Sequence, residues 1–537
     1  KPEVAFDYAQ RLTQGIHESD TMSVRQLDEP FKLSMLHEIV DAWKNSFDNK
    51  DGGYKRFPKF PIPNNWLFFL RYGFLAKDEE LLNHTHFTLK KIASGGIYDQ
   101  VGGGFARYSV DARWHIPHFE KMLYDNALLV SLYCEAYQQK PNPLYKRVVY
   151  ESLAWIKREM TSPNGAFYSS LDADSDGVEG KYYTFTQQEI EDVLGEDAPL
   201  FINYFQITEK GNWLDENTNV LELIEDADSL AREAGYSESE WNDYLSGIKL
   251  KLYQHREKRA RPSLDNKILC SWNSMMIKAY VDAYRIFREE EYLITAKTAA
   301  TFIEKELFNS KGDLLRQPSY NGKEIAGFLD DYAFYIEALI ALYETTFQIQ
   351  YLEKSKVLVD KVLVDFWQEN DTAFNFTSHQ SEKLIANKKD IMDDVIPSSN
   401  SVLIRQLFKL GLFFDIDLYR STAMQVLVNI FPQIKTYPSA FSNWSIQLLE
   451  EVFGLNEIAI TGPNYQQNQE ELDKHYLPNK ITMGGKEENL PLLIGRVDST
   501  NKIYVCKNRT CSLPVINISE LLKLIFKQEN EQNSPKF

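Results

Sequence analysis

The sequence lacks the features that mark several classes of protein. No run of about 18 apolar residues occurs, so we expect no transmembrane helix. Basic residues are outnumbered by acidic ones, and the net charge of −18 disfavours unaided binding to nucleic acid or to an anionic membrane surface. No signal-peptide pattern is visible, and the chain starts at Lys1, so we expect a processed or truncated chain.

Cysteine is also scarce, with four residues in 537. This argues against a disulfide scaffold and favours a reducing compartment, so we expect a cytoplasmic protein. Cys134 and Cys270 lie in apolar runs with helical periodicity and are predicted to be inert core thiols. Cys506 and Cys511 have no third cysteine or histidine nearby, whereas a zinc site needs about four ligands. We therefore predict ordinary thiols near a turn, with no metal and no cofactor.

Apolar residues make up 43% of the chain, and from about residue 30 to 452 they follow the 3.6-residue period of amphipathic helices. Between alternate helices, a small turn residue precedes an aromatic or long residue, as in GGGFARY and NGAFYSS, roughly every 50–60 residues with one longer gap. The twelve predicted helices are approximately 32–48, 64–76, 81–94, 118–138, 144–160, 271–288, 292–308, 330–347, 351–368, 399–414, 417–431 and 438–452.

Helix pairs of this kind bury their apolar faces only by stacking on neighbouring pairs. Six such hairpins can close into a ring, and this pattern favours a mainly α fold, an (α/α)6 toroid. An open α-solenoid is the alternative. The aromatic loop residues favour the toroid, because loops on one rim would surround a concave pocket.

After residue 453 the pattern changes to short apolar runs, EIAITG, KITMGG, LPLLIGR and KIYVCKN, which are typical of strands. A helix is expected at about 518–527. The charged stretch KLYQHREKRARP is interpreted as a solvated helix face. The predicted organisation is a helical lead-in at 1–30, a toroid at 31–453 with an insertion at about 185–262, a small α/β region at 454–530 and a disordered tail at 531–537.

The stretch GGIYDQVGGGFARYSVDARWHIPHFEKMLYDNALL at 95–129 holds the densest group of residues suited to chemistry. Gly95 and Gly96 suit a left-handed helix cap, and Gly102–Gly104 allow positive φ or a close backbone approach. No Lys-Ser/Thr pair follows these glycines, which argues against a phosphate-binding loop.

A proline suits the first turn of a helix, so the next helix is predicted to begin at Pro117. His118, Met122 and Asp125 would then share one helix face, with Glu120 on the other side. The alternative is a buried polar network that holds an irregular loop in place. The loop itself would add Asp99, Arg107, Trp114 and His115 to the same pocket.

The segment LDADSDGVEGKYY matches part of a calcium-binding loop, because Asp172, Asp174, Asp176 and Gly177 occupy positions 1, 3, 5 and 6. The glutamate required at position 12 is replaced by Tyr183. We expect some of these carboxylates to face the pocket as polar or acid–base groups. A cation site of another geometry and a solvated acidic turn are the alternatives.

Trp272 and Asn273 open a helix after a polar loop, where a tryptophan can stack on a sugar ring or belong to the core. Asp330 and Asp331 lie near a helix start, where the helix dipole favours acids without any function. Together with a second such pair, Asp393 and Asp394, these segments place carboxylates in four of six predicted rim loops. Paired carboxylates suit glycoside hydrolysis, and a histidine base suits epimerisation next to a carbonyl.

These motifs resemble the YyaL-type, spermatogenesis-associated protein 20-like family of thioredoxin-domain-containing proteins. The resemblance implies an N-terminal thioredoxin-like domain with a Cys-x-x-Cys-type motif, which this sequence lacks, so we expect a chain that starts after that domain or has lost it. The remainder is similar to N-acylglucosamine 2-epimerase and six-hairpin glycosidases. The matching stretches include DGGYKRFPKFP, the 95–129 block, SSLDADSDGVEGKYYTFT, LDNKILCSWN, FLDDYAFYIEAL and YVCKNRTCSLP.

We predict a carbohydrate-active enzyme of the epimerase, isomerase or glycosidase type that binds a small sugar-like ligand at a rim pocket. His115 or His118 would transfer the proton, and Asp125 or Asp172 would be its partner or a general acid. The alternative is a non-catalytic module that presents a ligand or protein to the thioredoxin-like domain. The residues expected to bind substrate are Asp99, Arg107, Trp114, Asp174, Trp272, Asn273, Asp330 and Asp331.

Overall fold

The computed structural model describes residues 6–8, 11, 23–26, 29–224, 230, 233, 235–368, 371–381, 388–507 and 509–533. The predicted lead-in and tail lie largely outside these residues. The described chain is mostly helical, and each of the twelve predicted helices is present with ends that differ by a few residues. Within these ranges no helix is both long and apolar enough to cross a membrane.

The helices are α1 (Leu33–Lys44), α2 (Pro63–Ala76), α3 (Glu79–Ser94), α4 (Leu123–Gln139), α5 (Pro143–Glu159), α6 (Gln187–Leu194), α7 (Ala198–Tyr204), α8 (Glu238–Arg256), α9 (Cys270–Phe287), α10 (Glu290–Glu306), α11 (Leu329–Thr346), α12 (Gln350–Asp365), α13 (Ser399–Phe413), α14 (Asp417–Thr436), α15 (Ser442–Phe453), α16 (Tyr465–Asp473) and α17 (Ile518–Asn533). The strands are β1 (Tyr108–Ser109), β2 (Pro117–His118), β3 (Lys121–Met122), β4 (Ser170–Leu171), β5 (Asp174–Ser175), β6 (Val178–Glu179), β7 (Leu264–Asp265), β8 (Asn456–Thr461), β9 (Lys480–Gly485), β10 (Lys502–Lys507) and β11 (Thr510–Cys511).

Local sequence signals explain several helix starts. The Asn142 side chain accepts a hydrogen bond from the backbone of Leu144 at the start of α5, and Pro143 occupies the first turn, where a missing N–H costs nothing. In α6 the side chain of Thr186 and that of Glu189 bond each other's backbone N–H, so two otherwise unpaired donors are satisfied.

The chain divides into two compact units, which we call unit A (Lys44–Ala279) and unit B (Lys1–Trp43 with Tyr280–Phe537). In unit A, α2 packs on α3 and α4, and α4 packs on α5. In unit B, α11 packs on α12 and α13, and α13 packs on α14 and α15. Alternate helices therefore lie side by side within each unit, as the inner helices of stacked hairpins do. The predicted domain bounds and the closure of the ring stay predictions.

The repeated loops share one contact that explains their sequence pattern. In three repeats, an asparagine near the start of a helix binds both backbone groups of the loop phenylalanine. Its Oδ1 accepts from the backbone N–H at 2.7–2.8 Å, and its Nδ2 donates to the carbonyl at 3.0 Å. The amide thus replaces a strand partner and fixes the loop at the helix N-terminus. The three pairs are Asn126–Phe105, Asn273–Phe167 and Asn400–Phe374.

The glycines of the 95–129 block are needed mainly for close approach. The predicted left-handed cap at Gly95 is wrong, because its φ is −74°. A Cβ on Gly95 would instead lie 2.4 Å from the carbonyl oxygen of Trp114. The positive φ expected farther along is confirmed at Gly104, where φ is +84° and a Cβ would lie 2.7 Å from the ring of Trp155.

The predicted solvated face of KLYQHREKRARP is wrong at Arg256, which is 1% exposed. Lys249, which precedes this stretch in α8, is also buried, with 6% exposure. The Nζ of Lys249 lies 2.6 Å from Oε1 of Glu151, and Arg256 forms a bidentate pair with Asp99. Because each cation meets a carboxylate inside unit A, their burial is electrostatically compensated.

The C-terminal residues form a four-stranded sheet in the order β11-β10-β8-β9. Strand β8 is parallel to β9 and antiparallel to β10, and α16 and α17 complete this α/β region. The prediction of a strand at LPLLIGR is wrong, because Pro491–Leu493 form a single 3-10 turn. A proline has no N–H to donate to a sheet, which favours the turn.

The cysteine prediction is confirmed for two residues and wrong for the other two. Cys134 and Cys270 are buried thiols outside any disulfide, as predicted. The prediction of ordinary thiols at the other two positions is wrong, because Cys506 and Cys511 form a disulfide. They are register partners in the antiparallel pair of β10 and β11, so the hairpin brings the two sulfurs together. Scarcity of cysteine argues against a scaffold, but it does not exclude a single local pair.

Candidate active site

The start of α4 differs from the prediction. Pro117 and His118 form β2, whose partner is β1, and α4 begins only at Leu123. Between them, Lys121 and Met122 form β3, which pairs with β4. A proline suits the edge of a small sheet as well as a first helical turn, and here the sheet pairing decides. The prediction that His118 and Asp125 share one helix face is therefore wrong.

In an extended segment, alternate side chains point to the same side, and residues 117–121 follow this rule. Pro117, Phe119 and Lys121 line one small cleft. His118 and Glu120 are half-buried, and their side chains lie close to each other, with Nε2 of His118 3.6 Å from Oε2 of Glu120. The helical phase had placed Glu120 away from His118, whereas the extended backbone places them together.

His118 lies between two carboxylates. Its Nδ1 is 2.7 Å from Oε1 of Glu179, which comes from β6. The imidazole also stacks on the ring of Tyr108 at 5.1 Å. A carboxylate only accepts hydrogen bonds, so this contact is made by the tautomer that carries its proton on Nδ1, and Nε2 then faces Glu120. With 28% of its side chain exposed, His118 can reach a ligand that arrives from solvent.

Arg107 connects this histidine to the start of α4. Its Nη1 lies 3.5 Å from Oε2 of Glu120, and its backbone N–H donates to the carbonyl of Glu120 at 2.9 Å. The hydroxyl of Tyr124 and the carboxyl of Asp125 interact with the same guanidinium. Arg107 therefore supplies one positive charge to a group of oxygen atoms, and its Nε is buried without a hydrogen-bond partner among the described residues.

Asp125 is the buried acid of this group. It is 4% exposed, and its Oδ2 has no hydrogen-bond partner in the described part of the chain. Burial raises the pKa of Asp125 well above its ordinary value, Arg107 opposes that rise, and Glu120 adds to it. Burial therefore favours the protonated form of this carboxyl group, and a protonated carboxyl can donate a hydrogen bond or a proton.

Trp272 borders the same group from α9. Its ring meets Tyr124 edge to face, with 4.8 Å between the ring centres, and it is half-buried. A half-buried indole beside polar groups is suited to the apolar face of a sugar ring. We call this group the His118–Asp125 cluster; its members are Arg107, Tyr108, His118, Glu120, Tyr124, Asp125, Glu179 and Trp272.

Four of the predicted site residues meet in the His118–Asp125 cluster: Arg107, His118, Asp125 and Trp272. Glu120 and Glu179 were missed. Glu120 could have been found by reading 117–122 with a period of two. No signal in the sequence pairs Glu179 with His118, because the two residues lie 61 positions apart.

Asp99 belongs to a buried ion cluster of unit A. Arg256 binds both of its carboxylate oxygens at 2.8 and 2.9 Å, and Lys121 donates to it at 2.8 Å. Burial would raise the pKa of Asp99, but Arg256 and Lys121 outweigh it and hold that pKa far below the ordinary value. Because two cations occupy its oxygens, Asp99 stabilises the fold and does not belong to the candidate site.

His115 is separate from the cluster. It is 4% exposed, and its Nδ1 lies 2.8 Å from Nη2 of Arg113. Burial first and the charge of Arg113 second lower the pKa of His115 to about 4. The ring is therefore neutral at physiological pH, and its contacts are with Arg113 and Glu222 rather than with His118.

The remaining predicted residues are placed outside the cluster. Trp114 is 1% exposed and its indole donates to the carbonyl of Asp51 at 2.9 Å, so it is a core residue. Asn273 is committed to the backbone of Phe167. Asp172 and Asp174 are exposed, and within the described ranges no group of three or more His, Cys, Asp or Glu residues could hold a metal ion.

Asp330 and Asp331 lie in unit B at the start of α11. The Oδ2 of Asp331 accepts a hydrogen bond from the backbone N–H of Phe328 at 2.9 Å, and Arg316 lies 3.3 Å from both carboxylates. These contacts match the helix-start role that the sequence allows for them.

No family model matches the sequence. Human spermatogenesis-associated protein 20 is 29% identical over 97% of this chain and 73% of its own length. The rat protein of the same name is 29% identical over 97% of this chain and 72% of its own length. An uncharacterized protein of Caenorhabditis elegans is also 29% identical, over 95% of this chain and 75% of its own length.

Solved structures with a similar course of the chain include a sugar epimerase from a ruminal bacterium, with a TM-score of 0.47 and 11% identity over 74% of this chain and 85% of that chain. A GH76 α-mannanase of Bacteroides thetaiotaomicron has a TM-score of 0.45 and 11% identity, over 78% of this chain and 94% of that chain. An unsaturated glucuronyl hydrolase specific for heparin has a TM-score of 0.44 and 11% identity, over 78% of this chain and 94% of that chain. At TM-scores below 0.5, we draw no functional argument from these likenesses.

Proposed function

We propose that this homologue of spermatogenesis-associated protein 20 is a carbohydrate-active enzyme of the epimerase, isomerase or glycosidase kind, with its acid–base site in the His118–Asp125 cluster. One observation carries the proposal: a buried Asp125, whose raised pKa favours its protonated form, and a half-exposed His118 oriented by a carboxylate flank the same Arg107–Glu120 pair. Neighbouring groups held ready to donate and to accept a proton are what acid–base catalysis requires.

In the proposed chemistry, Nε2 of His118 takes a proton from the ligand while Glu179 holds the Nδ1–H and stabilises the charged ring. Asp125 gives its proton to a ligand oxygen. Arg107 stabilises negative charge that develops on that oxygen, since its guanidinium is already placed beside Glu120 and Tyr124.

The two kinds of reaction make different use of these groups. For epimerisation or isomerisation, His118 removes a proton next to a carbonyl, and Asp125 protonates the carbonyl oxygen. For glycoside hydrolysis, Asp125 is the acid and Glu120 is the second carboxylate of the pair. The proposed ligand class is the same in both cases, a small polyhydroxylated molecule that packs a ring face on Trp272.

We also propose that the helical hairpins belong to an (α/α)6 toroid. The packing of alternate helices within each unit supports this architecture. A cytoplasmic location and cooperation with a thioredoxin-like domain remain part of the proposal. The absence of a nucleic-acid partner is supported by the net charge of −18.

The first experiment is a thermal-shift screen of sugars, sugar phosphates and disaccharides against the wild type, His118→Gln and Asp125→Asn. We expect at least one ligand to stabilise the wild type and to lose most of that shift in one or both variants. His475→Gln is the matched control, because His475 is half-exposed beside Glu471 in unit B. Ligands that stabilise all four proteins equally would place the site elsewhere, and ligand binding without any turnover would favour the non-catalytic module.

A further inference from the structure

A second group of reactive side chains lies in unit B, in the hairpin of β10 and β11. The disulfide between Cys506 and Cys511 joins two positions of opposite accessibility. Cys506 is 1% exposed, whereas Cys511 is exposed and belongs to the outermost strand of the sheet. One end of the bond therefore lies at the surface, where the thiolate of another molecule can reach it.

A guanidinium is placed against both sulfurs. Nη2 of Arg496 lies 3.5 Å from Sγ of Cys511, and Nη1 lies 3.9 Å from Sγ of Cys506. Arg496 is held there by other groups, because Nη1 donates to the carbonyl of Leu492 at 3.1 Å and the guanidinium lies 5.0 Å above the ring of Tyr504. A neighbouring cation stabilises a thiolate, so Arg496 favours the sulfur species that forms when the bond opens.

The fold around the bond is held by backbone contacts that do not need it. Strand β10 pairs with β8 over five residues, from Lys502 to Cys506. The backbone N–H of Ser512 donates to Val505 at 2.9 Å. The bond closes a loop between residues only five positions apart, and short loops gain least from closure. Opening the bond therefore leaves the sheet in place.

We propose that Cys506 and Cys511 form a thiol–disulfide exchange site that accepts two electrons from an external dithiol. A thiolate of the dithiol attacks Sγ of Cys511 and forms a mixed disulfide, while Cys506 leaves as a thiolate beside Arg496 and takes up a proton. The second thiolate of the dithiol then attacks the dithiol sulfur that is bonded to Cys511, which closes the dithiol's own disulfide and releases Cys511 as a thiolate that takes up a proton. The dithiol ends as a disulfide, and the protein ends with two thiols.

The test uses the full chain and dithiothreitol as the dithiol, without denaturant. After timed reduction, free thiols are alkylated and counted by mass, with the labelled residues located by peptide mapping. We expect two new labels, on Cys506 and Cys511, with Cys134 and Cys270 protected by burial and with an unchanged circular dichroism spectrum. A bond that opens only after unfolding would overturn the proposal.

Variants then test the role of Arg496. We expect Arg496→Leu to slow reduction several-fold and Arg496→Lys to restore much of the rate. Arg509→Leu is the matched control, because Arg509 belongs to the same hairpin but pairs with Asp417 at 2.6 Å. Equal rates for the wild type and Arg496→Leu would contradict the proposal.

A second variant covers the case in which Arg496→Leu does not fold. Cys506→Ser leaves Cys511 as a single thiol beside the guanidinium. Its alkylation at neutral pH should be several-fold faster than that of a free cysteine in solution, because more of it is thiolate. A rate no greater than that of the free amino acid would also count against the exchange site.

Discussion

Nδ1 of His118 lies 2.7 Å from Oε1 of Glu179, and this contact orients the imidazole and favours the tautomer with its proton on Nδ1. Replacing the carboxylate by an amide in Glu179→Gln keeps the shape but allows the ring to take either tautomer. We predict that this variant turns over its sugar-like ligand roughly 100-fold more slowly, with little change in KM, since the contact positions the base rather than the ligand. Steady-state kinetics on any ligand found in the screen would measure both values.

The hairpin that carries Glu179 also carries the control for this prediction. Asp176→Asn removes a carboxylate that pairs with Lys181 at 3.0 Å and does not contact His118. It should keep the wild-type rate. If both variants lose activity equally, the effect comes from the hairpin as a whole and not from the tautomer of His118.

Asp125 predicts a pH dependence of stability. Burial raises its pKa in the folded protein, so above about pH 4 the folded state keeps a proton that the unfolded chain releases. The stability contributed by this proton is fully present below the unfolded pKa, and it falls as the pH rises towards the folded pKa. Relative to the wild type, Asp125→Asn should therefore become more stable as the pH rises. Urea unfolding across this pH range measures the difference, and a constant difference would mean that Asp125 has an ordinary pKa.

His115 predicts the opposite dependence at lower pH. Its folded pKa is lowered to about 4 by burial and by Arg113, whereas an unfolded histidine titrates near about 6.5. As the pH falls between these values, the unfolded chain binds a proton that the folded protein does not bind, so the free energy of unfolding falls. His115→Gln should lose less melting temperature than the wild type between neutral pH and about pH 5. An identical loss in both proteins would show that His115 is not buried as a neutral ring.

The asparagine contact of the repeats predicts a large stability effect at a position expected to bind substrate. Asn273→Ala removes the two hydrogen bonds that its amide makes with the buried backbone N–H and carbonyl of Phe167, which costs about 1–3 kcal/mol of unfolding free energy. Asn242→Ala, at an exposed position in α8, should change it by less than about 0.5 kcal/mol. Denaturant unfolding compares the two, and equal losses would refute the contact's role.

The helices were predictable from the sequence because each one must bury an apolar face with a period of 3.6 residues. The repeated loop motif was predictable for a related reason. A small residue allows the turn, and the aromatic residue after it packs inward while its backbone is bound by the next helix, as for Phe105 and Asn126.

The site was predictable only in part, because its residues meet through tertiary contacts. The proline at position 117 suits a helix start and a strand edge equally, and only the pairing of β1 with β2 decides between them. Glu179 and His118 lie 61 positions apart in the sequence, so no local sequence pattern predicts their contact. Arg256 looked solvated because its helix is highly charged, yet Asp99 binds it inside unit A.

The most direct test of the central claim is solvent-proton exchange. A panel of aldoses, ketoses and N-acylamino sugars is incubated in D2O with the wild type, His118→Gln and His475→Gln, with a glycoside panel beside it. Proton NMR then follows deuterium at the carbon next to the carbonyl, and also sugar release. We predict that the wild type and His475→Gln exchange or hydrolyse at least one compound, that His118→Gln loses any exchange, and that Asp125→Asn, assayed beside them, loses any hydrolysis. Exchange that persists unchanged in His118→Gln, or sugar release that persists unchanged in Asp125→Asn, would contradict the assignment of the acid–base site to the His118–Asp125 cluster.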